Sequence, residues 1–376
     1  VIYLDHNATT PLLPEVLECM LPYLREHFGN PSSGHAYGRR AHDAVERARK
    51  QVADLLGCTL DEIVFSSGGT ESNNLAIRGV MAARPERRHV ITSVIEHPAV
   101  ANPCNHLERN GYEVTRVAVD GRGQVSTRQV VSKLRDDTAL VTIMHANNEV
   151  GTIQPIQRIA KDARARGGVL VHSDAAQSVG KLPVRVTDLG VDLLSVAGHK
   201  LYAPKGVGAL YVRRGTPLRP FTLGAGHERG LRPGTENVAS IVGLGAACEI
   251  ARETLQDESQ RVSALRDELW ERLKTGVAGI ALNGHPAERL PNTLNVRFPK
   301  VRGSAILEIA SEVAASTGSA CHEGGEAPSS VLMAMGLDEE AALGAVRLSL
   351  GRSTTAAQVD LAAQALIGAY QRLVEE

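Results

Sequence analysis

The sequence predicts an α/β protein: a large domain built on a mainly parallel sheet, followed by a smaller α+β domain. Two observations carry that expectation. Between about residues 60 and 212, short apolar strands alternate with helical stretches, the pattern of a sheet covered on both faces. Polar residues then stand at the carboxyl ends of five of those strands: Thr70, His97, Asn148, Asp174 and Lys200. In open α/β sheets ligands bind along that edge, so five separate segments deliver chemistry to one place.

Residues 1–4 read as a short strand, and DHNATTP at 5–11 is turn chemistry. Helical spacing follows at 14–26, broken by GNPSSG at 29–34. Residues 39–56 form an amphipathic helix with Ala41, Ala44, Val45, Ala48, Val52 and Leu55 on one face. Strands are expected at 63–65, 89–94, 114–119, 139–144, 169–172, 191–197 and 208–212, with helices from Glu71 and over 156–166. The character changes after Gly245. Residues 246–275 read as one long or broken helix, 293–298, 313–316 and 346–350 as strands, and 328–335 and 356–374 as helices. We expect a large domain at 13–255 and a small one formed by 1–12 together with 256–376.

A chain of 376 residues can bury a large core and carry a second domain. Its net charge of −1 provides no broad field for nucleic acid or an anionic membrane, and with aromatics at 3% a base-stacking surface is not expected. The five cysteines are widely spaced, odd in number and contain no CxxC, so neither a metal site nor a disulfide framework is expected. No apolar run reaches membrane-spanning length and the opening residues lack a signal-peptide pattern, so the cytoplasm is the expected location.

The stretch VDLLSVAGHKLYAPK at 191–205 ends a buried strand on a lysine. Desolvation there lowers the pKa of Lys200 and makes a nucleophilic amine suited to Schiff-base chemistry; the competing reading is a lysine emerging into solvent. SSGGTE at 66–71 is a glycine-rich turn before a helix, whose bare amides suit a phosphate, with the Thr70 hydroxyl added. It lacks the GxxxxGK[ST] pattern, so a nucleoside triphosphate is not implied. Asp174 follows an apolar strand and needs a cation or several donors; a protonated cofactor ring nitrogen would serve, and a helix N-cap is the rival role. Gln177 would face the same pocket. His97 could stack on an aromatic ring or move a proton. Cys321 lies in the small, polar, glycine-rich segment STGSACHEGGE, expected to be a mobile loop that favours a reactive thiolate; the other four cysteines read as inert residues in apolar or helical settings. Arg347, in the apolar strand VRLSL, wants a carboxylate, either a structural partner or a substrate.

Taken together, YLDHNATTPL, GNPSS, SSGGTESNN, EHPAV, HANNEVGTIQPI, HSDAAQSVGKLPV, AGHKLYAPKGVGALYV, RPGTEN, STGSAC and RLSLGRST run in order along nearly the whole chain. The chain so resembles the NifS/IscS-like cysteine desulfurases of the class-V aminotransferase family, and is close also to selenocysteine lyase. The resemblance implies a type-I aminotransferase fold, with a mainly parallel seven-stranded sheet in the large domain, and pyridoxal 5'-phosphate as cofactor. It implies that Lys200 joins the cofactor aldehyde and moves the substrate Cα proton, and that His97 stacks on the ring as acid and base. Asp174 would hold the ring nitrogen and Gln177 the phenolic oxygen. Gly69, Thr70 and His199 would line the phosphate site, completed by Thr235 from a second subunit of a homodimer. Asn148 would contact cofactor and substrate, with Arg347 on the substrate carboxylate. Cys321 would take sulfur from L-cysteine, or selenium from L-selenocysteine, and pass it to an acceptor such as an iron–sulfur scaffold or a tRNA-thiolation relay. An inactive scaffold for sulfur-transfer partners is the reading from another class. One departure stands out: the family often has serine two residues before the histidine of the histidine–lysine pair, where this chain has Ala197.

Overall fold

The computed structural model describes residues 1–318, 321–322 and 325–375, with 321, 322, 325 and 326 described by their backbone alone. The elements in chain order begin with β1 (Ile2–Tyr3), α1 (Pro14–Arg25), α2 (Ala36–Leu56), β2 (Ile63–Ser66), α3 (Gly69–Ala83), β3 (His89–Ser93), α4 (Pro98–Arg109) and β4 (Glu113–Val117). Next come α5 (Thr127–Ser132), β5 (Thr138–Thr142), α6 (Ile156–Ala165), β6 (Leu170–Asp174), α7 (Val186–Leu189), β7 (Leu193–Ala197), β8 (Gly208–Val212) and α8 (Val238–Gly276). The remainder is β9 (Ala281–Asn283), β10 (Thr293–Arg297), α9 (Gly303–Ile309), β11 (Val313–Ala314), β12 (Cys321–His322), β13 (Gly325–Glu326), α10 (Ser330–Ala334), α11 (Glu339–Leu343), β14 (Ala345–Ser349) and α12 (Ala356–Glu375).

Seven strands form one sheet in the order β2-β8-β7-β6-β5-β3-β4. All run parallel except β8, which is antiparallel to both β2 and β7. The strands are short and, apart from the edge strand β4, buried on both faces, so successive residues feed opposite cores. Ile63, Phe65, Ile91, Val141, Val171 and Leu194 join α1, α2, α6 and the start of α8 on one face. Val64, Val90, Leu140, Leu193 and Leu210 join α3 and α4 on the other. Because β2, β3, β5, β6 and β7 point the same way, their carboxyl ends open along one edge.

A further core collects Ile2 and Leu4, the second half of α8, α9, α12 and the antiparallel sheet β14-β10-β9. The strand β1 reaches it by pairing in parallel with β11. α8 is unbroken over 39 residues and joins both cores, with Leu244 and Cys248 in one and Leu269 and Leu273 in the other. The helix begins eight residues before the expected 246. Its start is set by the Asn237 side chain, which accepts from Ser240 N–H, a cap that a search for apolar periodicity passes over. No helix among the described residues is long and apolar enough to cross a membrane.

Candidate active site

A cavity of about 450 Å³ opens at the carboxyl edge of the sheet, within the range of small-molecule sites. Nine of the residues singled out from the sequence line it: Gly69, Thr70, His97, Asn148, Asp174, Gln177, His199, Lys200 and Arg347. The first eight come from the strand ends of the parallel sheet, whereas Arg347 arrives on β14 from the other core.

Each side chain has a local reason for its position. The β2–α3 turn is held by Gly68, whose φ of 146° is open to glycine and costly for other residues. A Cβ on Gly208 of β8 would come within 2.7 Å of the Gly68 Cα, so the antiparallel strand packs tightly under this turn. The turn leaves the amino end of the fifteen-residue α3 facing the cavity, where backbone N–H groups can receive an anion.

Asp174 ends β6 and is buried. Its Oδ2 accepts from Asn73 Nδ2 at 2.7 Å and its Oδ1 from Ala176 N–H at 2.9 Å. Among the described residues no cation is paired with it. The rival N-cap role fails, because the segment after Asp174 forms turns and no helix. Behind it His172 is buried and neutral, its pKa pushed down to about 3 by burial, with its ring nitrogens on Thr142 and Ser195. Asn73 was not singled out from the sequence, although its place one helical turn after Gly69 puts it on the cavity side of α3.

His97 caps α4, its Nδ1 accepting from Ala99 N–H at 3.1 Å. An accepting Nδ1 leaves the proton of the neutral ring on Nε2. Burial holds its pKa below the ordinary imidazole value; Asp174 opposes that shift and Lys200 adds to it.

Lys200 closes a short turn of 3-10 helix after β7. Its Nζ donates to the backbone oxygens of Asn7 and, at 2.6 Å, of Ala8. Burial lowers its pKa to about 8, helped by Arg347 and opposed by Asp5 and Asp174. The amine is therefore within reach of its neutral, nucleophilic form near neutral pH. His199, lowered to about 4 chiefly by burial, shares its Nδ1 with Thr9 Oγ1 at 3.2 Å. The turn at 5–11 thus wraps the lysine, and its carbonyls form a site feature that no motif search on side chains would find.

Arg347 is buried, and its Nη2 meets Asp5 Oδ1 at 2.6 Å while Nη1 donates to Asn148 O at 3.1 Å. Its Nε is buried without a partner. The strand edge beside it is stapled to the segment leading toward Cys321, with Arg347 N–H donating to Ser316 O at 2.6 Å.

Cys321 has its backbone in β12, which pairs antiparallel with β13. Its side chain lies outside the described residues, as do residues 319, 320, 323 and 324. The flanks are described. Gly318 has φ 74°, and a Cβ there would meet Glu149 Oε2 at 2.8 Å; the same carboxyl accepts from Ser329 Oγ. Glu149 thus touches both flanks of the cysteine segment. Burial raises its pKa. Of the other cysteines, burial raises the thiols of Cys58 and Cys104 to about 12 and that of Cys248 as well, in keeping with inert roles. Cys19 differs in being exposed on α1.

Thr235 is exposed and does not line the cavity of its own chain. Its segment is anchored by Glu228, which takes paired bonds of 2.8 Å from Arg49 and another from Phe65 N–H.

The cavity suits a flat cofactor with a phosphate and a basic ring nitrogen. The helix end can receive the phosphate, Asp174 is a buried anion lacking a cation, and Lys200 is an amine placed for an aldehyde. The pyridoxal 5'-phosphate implied by the resemblance fits these residues.

Sheet, cavity and lysine together define a pyridoxal-phosphate enzyme of the type-I aminotransferase fold. The chain belongs to the class-V aminotransferase family, whose model matches residues 2–361. It is 48% identical over 375 residues to the cysteine desulfurase of Trichormus azollae, covering 99% of this chain and 94% of that protein. It is 47% identical over 365 residues to cysteine desulfurase NifS of Azotobacter vinelandii, covering 96% and 90%. A solved structure titled NIFS-LIKE PROTEIN superposes with a TM-score of 0.92 at 39% identity, covering both chains completely.

Proposed function

We propose that this chain is a pyridoxal-phosphate-dependent cysteine desulfurase that converts L-cysteine to L-alanine, with sulfur passing to Cys321 as a persulfide and on to an acceptor. The observation that carries the reading is the meeting of Lys200, Asp174 and Arg347 at one cavity, in a chain related over nearly its whole length to cysteine desulfurases.

When bound, the cofactor supplies an electron sink through its protonated ring nitrogen. Asp174 keeps that nitrogen protonated, held in place by Asn73 and Ala176 N–H. The amino end of α3, with Gly69 and Thr70, and His199 bind the phosphate, and Gln177 meets the phenolic oxygen. Arg347 binds the substrate carboxylate beside Asn148. Lys200, with a pKa near 8, serves first as nucleophile and then as the base that moves the Cα proton. His97, which lines the same cavity, would lie against the ring with its Nε2–H available as proton donor. The Cys321 thiolate attacks the substrate sulfur: an S–S bond forms, the C–S bond breaks, and its electron pair stays on the departing carbon, which takes a proton to become the methyl of alanine. One thiol and one cysteine give one persulfide and one alanine, so no outside oxidant or reductant enters.

A homodimer, with Thr235 reaching the phosphate of the other subunit, belongs to the same reading. So do a large domain at 13–255, a small one at 1–12 with 256–376, a cytoplasmic setting, and a sulfur-acceptor protein in iron–sulfur or thio-cofactor supply.

The test is product analysis with L-cysteine. Alanine together with a persulfide mass on the Cys321 peptide is expected. Cys321→Ala should abolish the persulfide and keep the cofactor's visible absorbance, whereas Lys200→Ala should lose turnover and that band. Keto-acid-dependent amino exchange without sulfur release would instead mark an aminotransferase. A Cys321→Ala variant fully active on selenocysteine, with wild type inert on cysteine, would mark a selenocysteine lyase.

A further inference from the structure

Lys181 is a second amine beside the site. It lies four residues after Gln177, and no motif role or catalytic step uses it. The residue is half-buried as a whole, and its amine group is buried. Among the described residues it forms no ion pair. Its partners are two amide oxygens: Gln177 Oε1 at 3.0 Å and Asn7 Oδ1 at 3.5 Å. Burying an amine without a carboxylate is costly, and the charges of Lys200 and Arg347 add to that cost. Burial and those cations lower its pKa to about 7.

What the amine does is legible in the polarity of its neighbours. The Gln177 Nε2 donates to Asn7 O at 3.0 Å, while Oε1 receives Lys181. Turning the Gln177 amide over would set NH2 against the Lys181 amine and oxygen against the Asn7 carbonyl. Two donors would face each other at one end and two acceptors at the other, so both contacts forbid the flip. Asn7 is fixed in the same way. Its Oδ1 accepts from Asn292 Nδ2 at 3.0 Å, and its Nδ2 donates to Thr293 Oγ1 at 2.8 Å and Asn148 O at 3.1 Å. The Asn7 backbone oxygen that receives Gln177 also receives the Lys200 amine. One residue of the amino-terminal turn therefore links Lys181, Gln177, Lys200 and Asn148.

We propose that Lys181 is a positioning residue for the cofactor: from behind Gln177 it fixes the direction of that amide, so that the second hydrogen of its NH2 group is left for an acceptor in the cavity. The acceptor chemistry is an anionic oxygen on an aromatic ring. When protonated, Lys181 also polarises the Gln177 amide and disfavours extra positive charge on whatever Gln177 holds. The inference rests on the pyridoxal-phosphate reading above.

The test compares wild type with Lys181→Met and Lys181→Gln, each alone and with Gln177→Ala. The readouts are the pyridoxal-phosphate dissociation constant of the apoprotein, the pH midpoint of the bound cofactor's visible band, and the apoprotein melting temperature. Lys181→Met should weaken cofactor binding roughly tenfold, the loss of one oriented hydrogen bond, and move the band midpoint upward. Lys181→Gln keeps a donor without the charge; it should hold affinity near wild type and still move the midpoint. In the Gln177→Ala background neither substitution should have a further effect on affinity. Wild-type affinity and midpoint in both Lys181 variants would overturn the proposal, as would an undiminished loss in the Gln177→Ala background. A wild-type protein that takes up no pyridoxal phosphate would end the parent reading with it. Uptake by wild type with unaltered Lys181 variants would end this proposal alone.

Discussion

Asp5 and Arg347 meet at 2.6 Å although 342 residues separate them in the chain. The contact brings the guanidinium of one core against the turn that wraps Lys200. It leaves Arg347 with one anion already beside it and an unpaired buried Nε. A guanidinium held at both Nη atoms is oriented before any substrate arrives, and fixed geometry is what a carboxylate ligand exploits. Arg347→Lys, which cannot form the fork, should raise KM for cysteine roughly ten- to hundredfold, the worth of a charge-assisted hydrogen bond. The cofactor band should be unchanged. Asp5→Asn should raise KM less. Steady-state kinetics beside absorbance spectra measures both.

Ala197 lines the cavity beside Gly69 and Thr70 and offers no hydroxyl there, at the position where the family resemblance leads us to expect a serine. Ser195 does not replace it, since its Oγ is shared with the buried His172 at 2.9 Å. Space exists for a hydroxyl, because Gly69 leaves the position facing the Ala197 methyl empty. Ala197→Ser should therefore tighten pyridoxal-phosphate binding about tenfold, the worth of one bond to a charged group, as read by titration of the apoprotein.

Gly318 combines a φ of 74° with a built-in collision between any Cβ and Glu149. Gly318→Ala should slow persulfide formation on Cys321 while leaving cofactor uptake intact, because the strain falls on the flank of the cysteine segment. Rapid-quench mass analysis of the Cys321 peptide gives the rate; an unaltered rate would show that this flank does not control delivery.

The buried Lys181 amine makes stability depend on pH in a definite direction. Its folded pKa of about 7 lies below the unfolded value, so between roughly pH 7 and 10.5 the unfolded chain binds the extra proton. Stability contributed by this group therefore rises with pH across that window and is least below it. Lys200, lowered to about 8, acts in the same sense. Apoprotein carrying Lys181→Met should gain on wild type as pH falls from 10 to 6, by an amount on the order of a few kcal/mol. Chemical denaturation at both pH values reads the change, and a constant gap would remove the amine's burial as the cause.

Much of this architecture could be read from residue types in order. Apolar strands such as Val64 to Phe65 and Leu193 to Val196 have no polar face to hide, so their place in a doubly covered sheet follows from composition alone. The helix at Pro98–Arg109 was harder to see, because Pro98 and Pro103 suppress helical expectation although Pro98 sits where a first turn tolerates it. The strand Ala281–Asn283 has only three residues and depends on its pairing with β10. In the site, the side chains at strand ends announced themselves by being polar where apolar residues were due. Asn7 and Ala8 could not, since their carbonyls hold Lys200 and a carbonyl has no signature in sequence. Asp5, Asn73 and Lys181 were hidden differently: each lies within a motif whose neighbour drew attention, and only distance ties it to Arg347, Asp174 or Gln177.

The parallel pairing of β1 with β11 sets an order of events during synthesis. A polypeptide emerging from the ribosome amino end first has most of its sheet core in hand once Ala251 is out. Ile2 and Leu4 must then wait for β11 and α12 before they are covered. Until those last segments arrive, the turn that cradles Lys200 can be tied to the large sheet through Gln177, His199 and Tyr202 but lacks its bonds to Asn292, Thr293, Arg347 and Ser349, so a nascent chain would possess the scaffold of the pocket well before it possessed a working one.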